Sequence, residues 1–306
     1  MCVTNGFARF AHGLLLPAMR TEMGWSYAQA GWLNTANALG YLAGAVLTLS
    51  IISRIRPSQL FAFGMVTTAL SLLATGLYEP LWWQTLWRVL AGLFGAMSFA
   101  TSSALAAQLF RTEPRKSALA IALLFGFGGG LGIALAGLAL PPMIEILGTE
   151  SWPMAWIGIG VTSLAFLPLG LWSAWQLRPP RAKIPPRPRI RFGPMKAEVA
   201  GYGAFGLGYI VYFTFLSAWM TEQGAGVGTI ALTWVMLGLC LCVSPFLWRP
   251  VFAYFRGGAP LAMVLTGIAT GSALPVLWPT VSGLILSAAI FGLSVFMSPG
   301  AVTSFV

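Results

Sequence analysis

The sequence predicts an all-α polytopic membrane protein on three observations: long apolar runs, few charged residues, and basic residues gathered in alternate loops. Of its 306 residues, 58% are hydrophobic and only 8% are charged, and the mean hydropathy is +0.81. Soluble domains carry about 25% charged residues, so the composition excludes a soluble globular domain. The 36 glycines and 13 tryptophans suit membrane helices, where Gly permits close packing and Trp lies at the headgroup level.

Ten apolar segments meet the length that a spanning helix needs, which is about 20 mostly apolar residues. The predicted helices cover residues 1–19, 27–52, 58–77, 81–108, 117–140, 152–176, 197–220, 226–248, 259–278 and 280–303. The loops between them alternate in charge. Those after helices 2, 4, 6 and 8 hold 14 of the 17 Lys and Arg residues, so we predict that they are cytoplasmic.

The most basic segment, residues 178–196, holds seven Lys or Arg residues, six prolines and no acidic residue. Chain of this composition does not bury enough apolar surface to fold, so it is predicted to be a solvated linker. It divides an N-terminal six-helix bundle (1–177) from a C-terminal four-helix bundle (197–306). A nucleic-acid or anionic-lipid patch has a similar composition, but the flanking apolar helices favour a cytoplasmic loop, and no nucleic-acid partner is expected.

Three segments are similar to those of a known transporter family. They are GFARFAHGLLLPAM (6–19), GWSYAQAGWLNTANALGYLAG (24–44) and GYGAFGLGYIVYFTFLSAW (201–219). They resemble the YbfB/YjiJ-type branch of the major facilitator superfamily, and the resemblance covers essentially the whole chain. WRVLAGLFGA (87–96) is similar to the superfamily's helix 4 pattern, whereas the loop at 50–58 lacks the Gly and Asp of its signature.

The resemblance implies a major facilitator fold in a bacterial-type inner (plasma) membrane, with about ten of the usual twelve helices present. It implies a secondary active transporter that moves a small organic solute by alternating access, through a cavity lined mainly by helices 1, 4, 7 and 10. Proton-coupled efflux is implied by the resemblance alone. Because the chain stops two helices short of twelve, the alternative is a truncated, non-transporting membrane fragment or a membrane-embedded partner protein.

The candidate cavity residues start with Arg9, because a charged side chain inside a span is costly and marks a functional site by default. Arg9 precedes Arg20 by 11 residues, which is about 16 Å along a helix and places Arg9 near mid-membrane. Asn5 and His12 fall on the same face at helical spacing. Two cavity arginines, Arg9 and Arg88, with few acidic residues in the spans would favour an anionic or polar substrate; a structural role in helix packing is the alternative for Arg9.

The other candidates divide between functional and structural interpretations. Arg88 on helix 4 either faces the cavity or fixes packing, and His12 either relays a proton or only forms hydrogen bonds. Asn34, Asn37 and Tyr41 repeat at helical spacing on helix 2, beside a row of small residues (Ala36, Gly40 and Gly44) that predicts a packing seam. Helix 7 contributes an aromatic row that includes Tyr209 and Tyr212, as a substrate platform or as core.

An enzyme is not expected from this composition. The chain has one His and no Asp, and its three cysteines have no metal-ligand spacing, so no nucleophile–base or metal constellation is available. No cofactor is predicted. The expected partners are a small-molecule solute, the lipid bilayer and, from the resemblance, protons.

Overall fold

A computed structural model describes residues 1–110, 112–177, 196–255 and 257–303, and these residues form helices with no strand among them. A π-helical segment, Cys2–Phe10, leads directly into the first α-helix, and a short 3₁₀ turn, Thr149–Ser151, precedes α6. The α-helices are α1 (Ala11–Met23), α2 (Tyr27–Ile51), α3 (Pro57–Thr75), α4 (Leu81–Ala106), α5 (Pro114–Leu147), α6 (Trp152–Gln176), α7 (Lys196–Glu222), α8 (Val227–Tyr254), α9 (Ala259–Leu277), α10 (Val281–Val295) and α11 (Ser298–Thr303).

Local sequence signals set the tight turn between α1 and α2. Gly24 ends α1 in the left-handed region, at φ +62°, which glycine adopts without steric cost. Ser26 then caps α2: its side chain accepts from the Gln29 amide at 3.2 Å, and the Gln29 side chain accepts from the Ser26 amide at 2.9 Å. This reciprocal capping box satisfies two backbone donors that the helix leaves unpaired.

Helices occupy all ten predicted positions, but several predicted ends were wrong. α5 continues through Pro141 and Pro142 and ends at Leu147 instead of residue 140. α8 likewise passes Pro250 and ends at Tyr254 instead of residue 248. Neighbouring helices and local adjustments allow prolines inside membrane helices, so proline is a poor stop signal here.

The last predicted helix, 280–303, is broken in two by a proline. α10 ends at Val295, and α11 begins at Ser298. Pro299 has no N–H group to donate to the Val295 carbonyl, so the helical hydrogen-bond series loses one bond here, and the proline is accommodated in the first turn of α11.

Eight helical segments of the described residues are long and apolar enough to cross a membrane, and the last of them, Val281–Ala301, combines α10 with part of α11. α1 and α2 do not meet these limits: α1 is only 13 residues long after the π segment, and α2 is long but carries polar side chains such as Asn34 and Asn37. The fold is that of an all-α, multi-pass membrane protein.

The helices pack as two groups. In the first, α4 lies against α2 and α3, and α3 lies against α6; in the second, α10 lies against α8 and α9. The contacts of α5 with α8 and of α1 with α7 join the groups. The predicted bundle limits at 1–177 and 197–306 stay a prediction, because the linker that separates them lies almost entirely outside the described residues.

The predicted small-residue seam on α2 is confirmed. A Cβ atom added at Gly40 would overlap the Val89 carbonyl oxygen, and one added at Gly44 would overlap that of Leu93. The backbones of α2 and α4 therefore approach as closely as only glycine allows.

Candidate functional site

The π-helical segment Cys2–Phe10 positions the first candidate residues. The Ala11 amide donates to the carbonyl of Gly6, five residues earlier, so the turn is wider than in an α-helix. Helices of this kind are rare, occur mostly as single turns, and are frequent at functional sites. Here the segment is packed closely against α5, where a Cβ atom on Gly6 would lie 2.5 Å from the Gly132 Cα.

Arg9 extends from this segment to aromatic residues of two other helices. Its Nη2 donates to the Tyr209 hydroxyl on α7, and its guanidinium carbon lies 4.4 Å from the ring centre of Tyr41 on α2. Tyr202, two turns before Tyr209, is connected to it through Phe205, whose ring centre lies 5.5 Å from that of Tyr202 and 4.6 Å from that of Tyr209. We call Arg9, Tyr41, Tyr202 and Tyr209 the Arg9 cluster. It brings residues of both helix groups around one cation.

No carboxylate belongs to the Arg9 cluster among the side chains that the structure describes. The acidic ones are instead exposed or partly exposed at helix ends and in loops: Glu22, Glu79, Glu113, Glu145, Glu150 and Glu222. The two ion pairs found, Arg20 with Glu222 and Lys116 with Glu113, both lie away from Arg9. Among the described side chains, the Arg9 guanidinium therefore contacts the Tyr209 hydroxyl and aromatic ring faces in place of a carboxylate.

Arg88 lies in a separate, fully buried site, with 0% of its surface exposed. Its Nη1 donates at 2.8 Å to the Ala8 carbonyl in the π segment, and its guanidinium carbon lies 5.4 Å from the Trp156 ring centre. Asn37 donates through Nδ2 to the Arg88 carbonyl at 2.9 Å. These contacts fix the π segment to α4 and α2, while Nε and Nη2 of Arg88 have no hydrogen-bond partner among the described residues.

His12 is also fully buried and does not join Arg9. Its Nε2 lies 3.2 Å from the Ala30 carbonyl, and its ring stacks on Trp156 with 6.4 Å between the ring centres. Asn5 is buried too, and its Oδ1 has no partner among the described residues. The three side chains therefore occupy different surroundings instead of one polar row, because the wide turns of the π segment do not follow the 3.6-residue period.

The remaining predicted residues connect helices. Asn34 on α2 donates through Nδ2 to the Thr214 hydroxyl on α7, and both side chains are buried. Tyr212 lies 2.8 Å from the Ser287 hydroxyl on α10, and its ring stacks on Phe291 with centres 3.9 Å apart. Asn34 thus links the two helix groups, whereas Tyr212 belongs to the core of the second.

A second polar cluster joins the groups near the α1–α2 turn. Arg20 Nη1 lies 3.9 Å from a Glu222 carboxylate oxygen and donates to the Tyr27 hydroxyl at 3.2 Å. The Tyr27 hydroxyl donates to the same Glu222 oxygen, and the Arg20 guanidinium lies 3.8 Å from the Tyr27 ring centre. We call these three residues the Arg20 cluster. It joins α1 and α2 to the end of α7.

Sequence reasoning missed several partners at both sites. Thr214, Trp156 and Tyr27 were not predicted, since each meets its partner only through the fold. Tyr27 had one available signal, because it follows a helix cap directly and lies close to Arg20 in sequence. No group of three His, Cys, Asp or Glu side chains in the described part of the chain could hold a metal ion.

The spans, the two joined helix groups and the polar contacts between them define a membrane transporter of the major facilitator type. A family model described as "Uncharacterised MFS-type transporter YbfB" matches residues 1–306. The chain therefore belongs to this family, and the predicted resemblance is confirmed. The curated Inner membrane transport protein YdhP of Escherichia coli (strain K12) is 27% identical over 308 residues, which cover 89% of this chain and 76% of YdhP.

Solved transporter structures share the fold. A D-xylose-proton symporter aligns with a TM-score of 0.71 at 14% identity, covering 99% of this chain and 79% of the symporter. An inward-facing bacterial homolog of the human lysosomal transporter Spinster aligns with a TM-score of 0.65 at 16% identity, covering 98% and 72%. The nucleoside transporter NupG aligns at 0.63 and 11% identity, covering 98% and 80%. At these identities the likeness shows the fold alone.

Proposed function

We propose that the protein is a secondary active transporter that moves a small organic anion by alternating access of its two helix bundles, driven by the proton gradient. The observation that supports an anionic substrate is the Arg9 cluster, in which a guanidinium contacts tyrosines of α2 and α7 without a carboxylate partner among the described side chains. Proton coupling enters the proposal as an expectation from the family, and the flux experiment tests it separately.

The position of the cluster suits alternating access. Arg9 lies in the first helix group and Tyr209 in the second, so an anion held between them would contact both bundles at once. Guanidinium groups bind carboxylates through two parallel N–H groups, and Arg9 uses Nη2 for Tyr209. An anion that competes for this N–H group would loosen the Arg9–Tyr209 contact, which links binding to the relative movement of the bundles.

Flux into proteoliposomes tests the proposed function. Benzenesulfonate is a suitable probe because it stays ionised at every working pH and does not leak through lipid as a neutral acid. We expect protein-dependent uptake of labelled benzenesulfonate, with an initial rate that changes when a pH gradient is imposed. Uptake of xylose, a neutral solute, should not exceed that of empty liposomes.

Two results would contradict the proposal at different levels. Protein-dependent xylose uptake without anion uptake would contradict an anionic substrate, and the Arg9 cluster would then need a structural explanation. Anion uptake that does not respond to a pH gradient, with the membrane potential clamped, would contradict the proton as the coupling ion. It would still agree with an organic-anion transporter.

The Arg20 cluster is proposed to hold the bundles closed on the side opposite the basic loops. Both charged side chains are partly exposed, 35% for Arg20 and 53% for Glu222, so the ion pair contributes only about 0.2–1 kcal/mol. We expect Arg20→Gln and Glu222→Gln each to change flux by roughly twofold to fivefold, and the double variant to show no further change, because both remove the same interaction.

The control for this double-mutant cycle is Glu145→Gln, which removes an exposed carboxylate near the end of α5. It should leave flux unaltered, and combining it with Arg20→Gln should give the flux of Arg20→Gln alone. Strictly additive effects of Arg20→Gln and Glu222→Gln would show that the two side chains are not coupled during transport.

A further inference from the structure

We propose that the transported anion is a monoanion with a planar aromatic ring, such as an aromatic carboxylate. This inference rests on the proposed function and defines its substrate class from the contacts of the Arg9 cluster. The charge is recognised by Arg9 and the ring by the aromatic side chains of α7 and α2.

The number of cations sets the charge of the ligand. Arg9 is the one basic side chain of the cluster; Arg88 is buried and donates to the Ala8 carbonyl, and Arg20 is bound to Glu222 at the other end of α1. A monoanion is neutralised by one guanidinium. A second negative charge would stay unpaired inside the membrane, where an unpaired charge is costly.

The ring specificity follows from the aromatic surface on both sides of the cation. On α7, Tyr202, Phe205 and Tyr209 form a continuous series, with ring centres 5.5 Å and 4.6 Å apart and the second pair stacked at 15°. On the α2 side, Tyr41 contacts Phe99 edge to face at 6.0 Å. Arg9 lies between these surfaces, 4.4 Å from the Tyr41 ring centre and 5.4 Å from that of Tyr209.

This arrangement favours an aromatic ligand over an aliphatic one of the same size and charge. Aromatic pairs gain attraction beyond the burial of apolar area when they stack with an offset or meet edge to face. The hydroxyls of Tyr41 and Tyr209 supply further donors for a carboxylate, whereas Tyr202 contributes its ring face. Tyr202 is 36% exposed, so its ring is accessible to a ligand.

Binding to the purified, full chain in lipid nanodiscs, measured by titration calorimetry, tests the inference with four matched probes. Benzoate should bind. Cyclohexanecarboxylate, with equal charge and a non-planar ring, should bind about 3- to 10-fold more weakly, which is the gain expected from one aromatic pair. Phthalate, a dianion at neutral pH, should bind at least tenfold more weakly, and benzylamine, a cation, should not bind.

One variant tests recognition of the ligand's aromatic ring separately from recognition of its charge. Tyr202→Leu should weaken benzoate binding about 3- to 10-fold and leave cyclohexanecarboxylate binding unchanged. Tyr254→Leu is the matched control, because Tyr254 is 84% exposed at the end of α8 and outside the cluster; it should alter neither.

The outcomes distinguish this inference from the proposed function. Equal binding of benzoate and cyclohexanecarboxylate would overturn the aromatic class and leave an organic-anion transporter standing. Equal binding of phthalate and benzoate would overturn the single charge. Stronger binding of benzylamine, or binding of none of the four, would overturn the inference as a whole; absent flux of every solute would instead count against the proposed function.

Discussion

Replacing Arg9 by glutamine is expected to lower benzenesulfonate flux about 30-fold or more. Removing one partner of a buried, hydrogen-bonded charge pair costs about 2–5 kcal/mol, and each 1.4 kcal/mol is a factor of ten. Glutamine keeps a hydrogen-bond donor for the Tyr209 hydroxyl but removes the charge. Arg9→Lys should retain part of the flux, since lysine keeps the charge and loses the planar, two-donor geometry.

The matched control for Arg9 is Arg249→Gln. Arg249 is exposed near the end of α8, so this change removes one positive charge without touching the cluster. Flux should be that of the unchanged protein. If Arg9→Gln is made at normal levels, elutes as a single species and still transports at the full rate, then Arg9 is a packing residue and the anion proposal loses its basis.

Replacing Gly40 by alanine is expected to destabilise the protein by about 1–3 kcal/mol, the usual cost of overpacking. The added methyl group would overlap the Val89 carbonyl oxygen, which is backbone and cannot move without displacing α4. For a chain of this size we expect the midpoint of thermal unfolding in detergent to fall by roughly 5 °C. Size-exclusion chromatography after heating, with tryptophan fluorescence as the signal, measures it.

Gly158→Ala is the control for Gly40→Ala. Gly158 lies within α6 with no atom within 4 Å of where a Cβ would be, so the same substitution meets open space there. Alanine is a better helix former than glycine, and this variant should be neutral or slightly stabilised. A midpoint for Gly40→Ala equal to that of Gly158→Ala would mean that α2 and α4 are not in close backbone contact.

The helix positions could be predicted because spanning length and apolar composition are local properties, and so could the seam at Gly40 and Gly44. The predicted ends at residues 140 and 248 were too early, since membrane helices tolerate prolines such as Pro141 and Pro250 where neighbours or local adjustments satisfy the backbone. Pro299, in contrast, lies next to the break between α10 and α11.

Arg9, the main residue of the candidate site, could be predicted from the sequence, but its contacts with other helices could not. Arg9 is conspicuous as a charge inside an apolar helix, and Tyr41 and Tyr209 were predicted as separate rows on α2 and α7. Their meeting depends on the packing of α1 against α7, which no local pattern contains. The contact between Asn34 and Thr214 could not be predicted for the same reason, because the two residues are 180 positions apart in the sequence.

The π-helical start of the chain has a consequence for insertions and deletions. The direction in which Arg9 points is set by the wide turns between Cys2 and Phe10, and the segment is fastened on both sides by Arg88 at the Ala8 carbonyl and by Gly6 against α5. Removing one residue between Gly6 and Arg9 would change the spacing between Arg9 and these attachments. At positions other than Gly6 and Arg9, the segment should therefore tolerate conservative substitutions better than a change in the number of its residues.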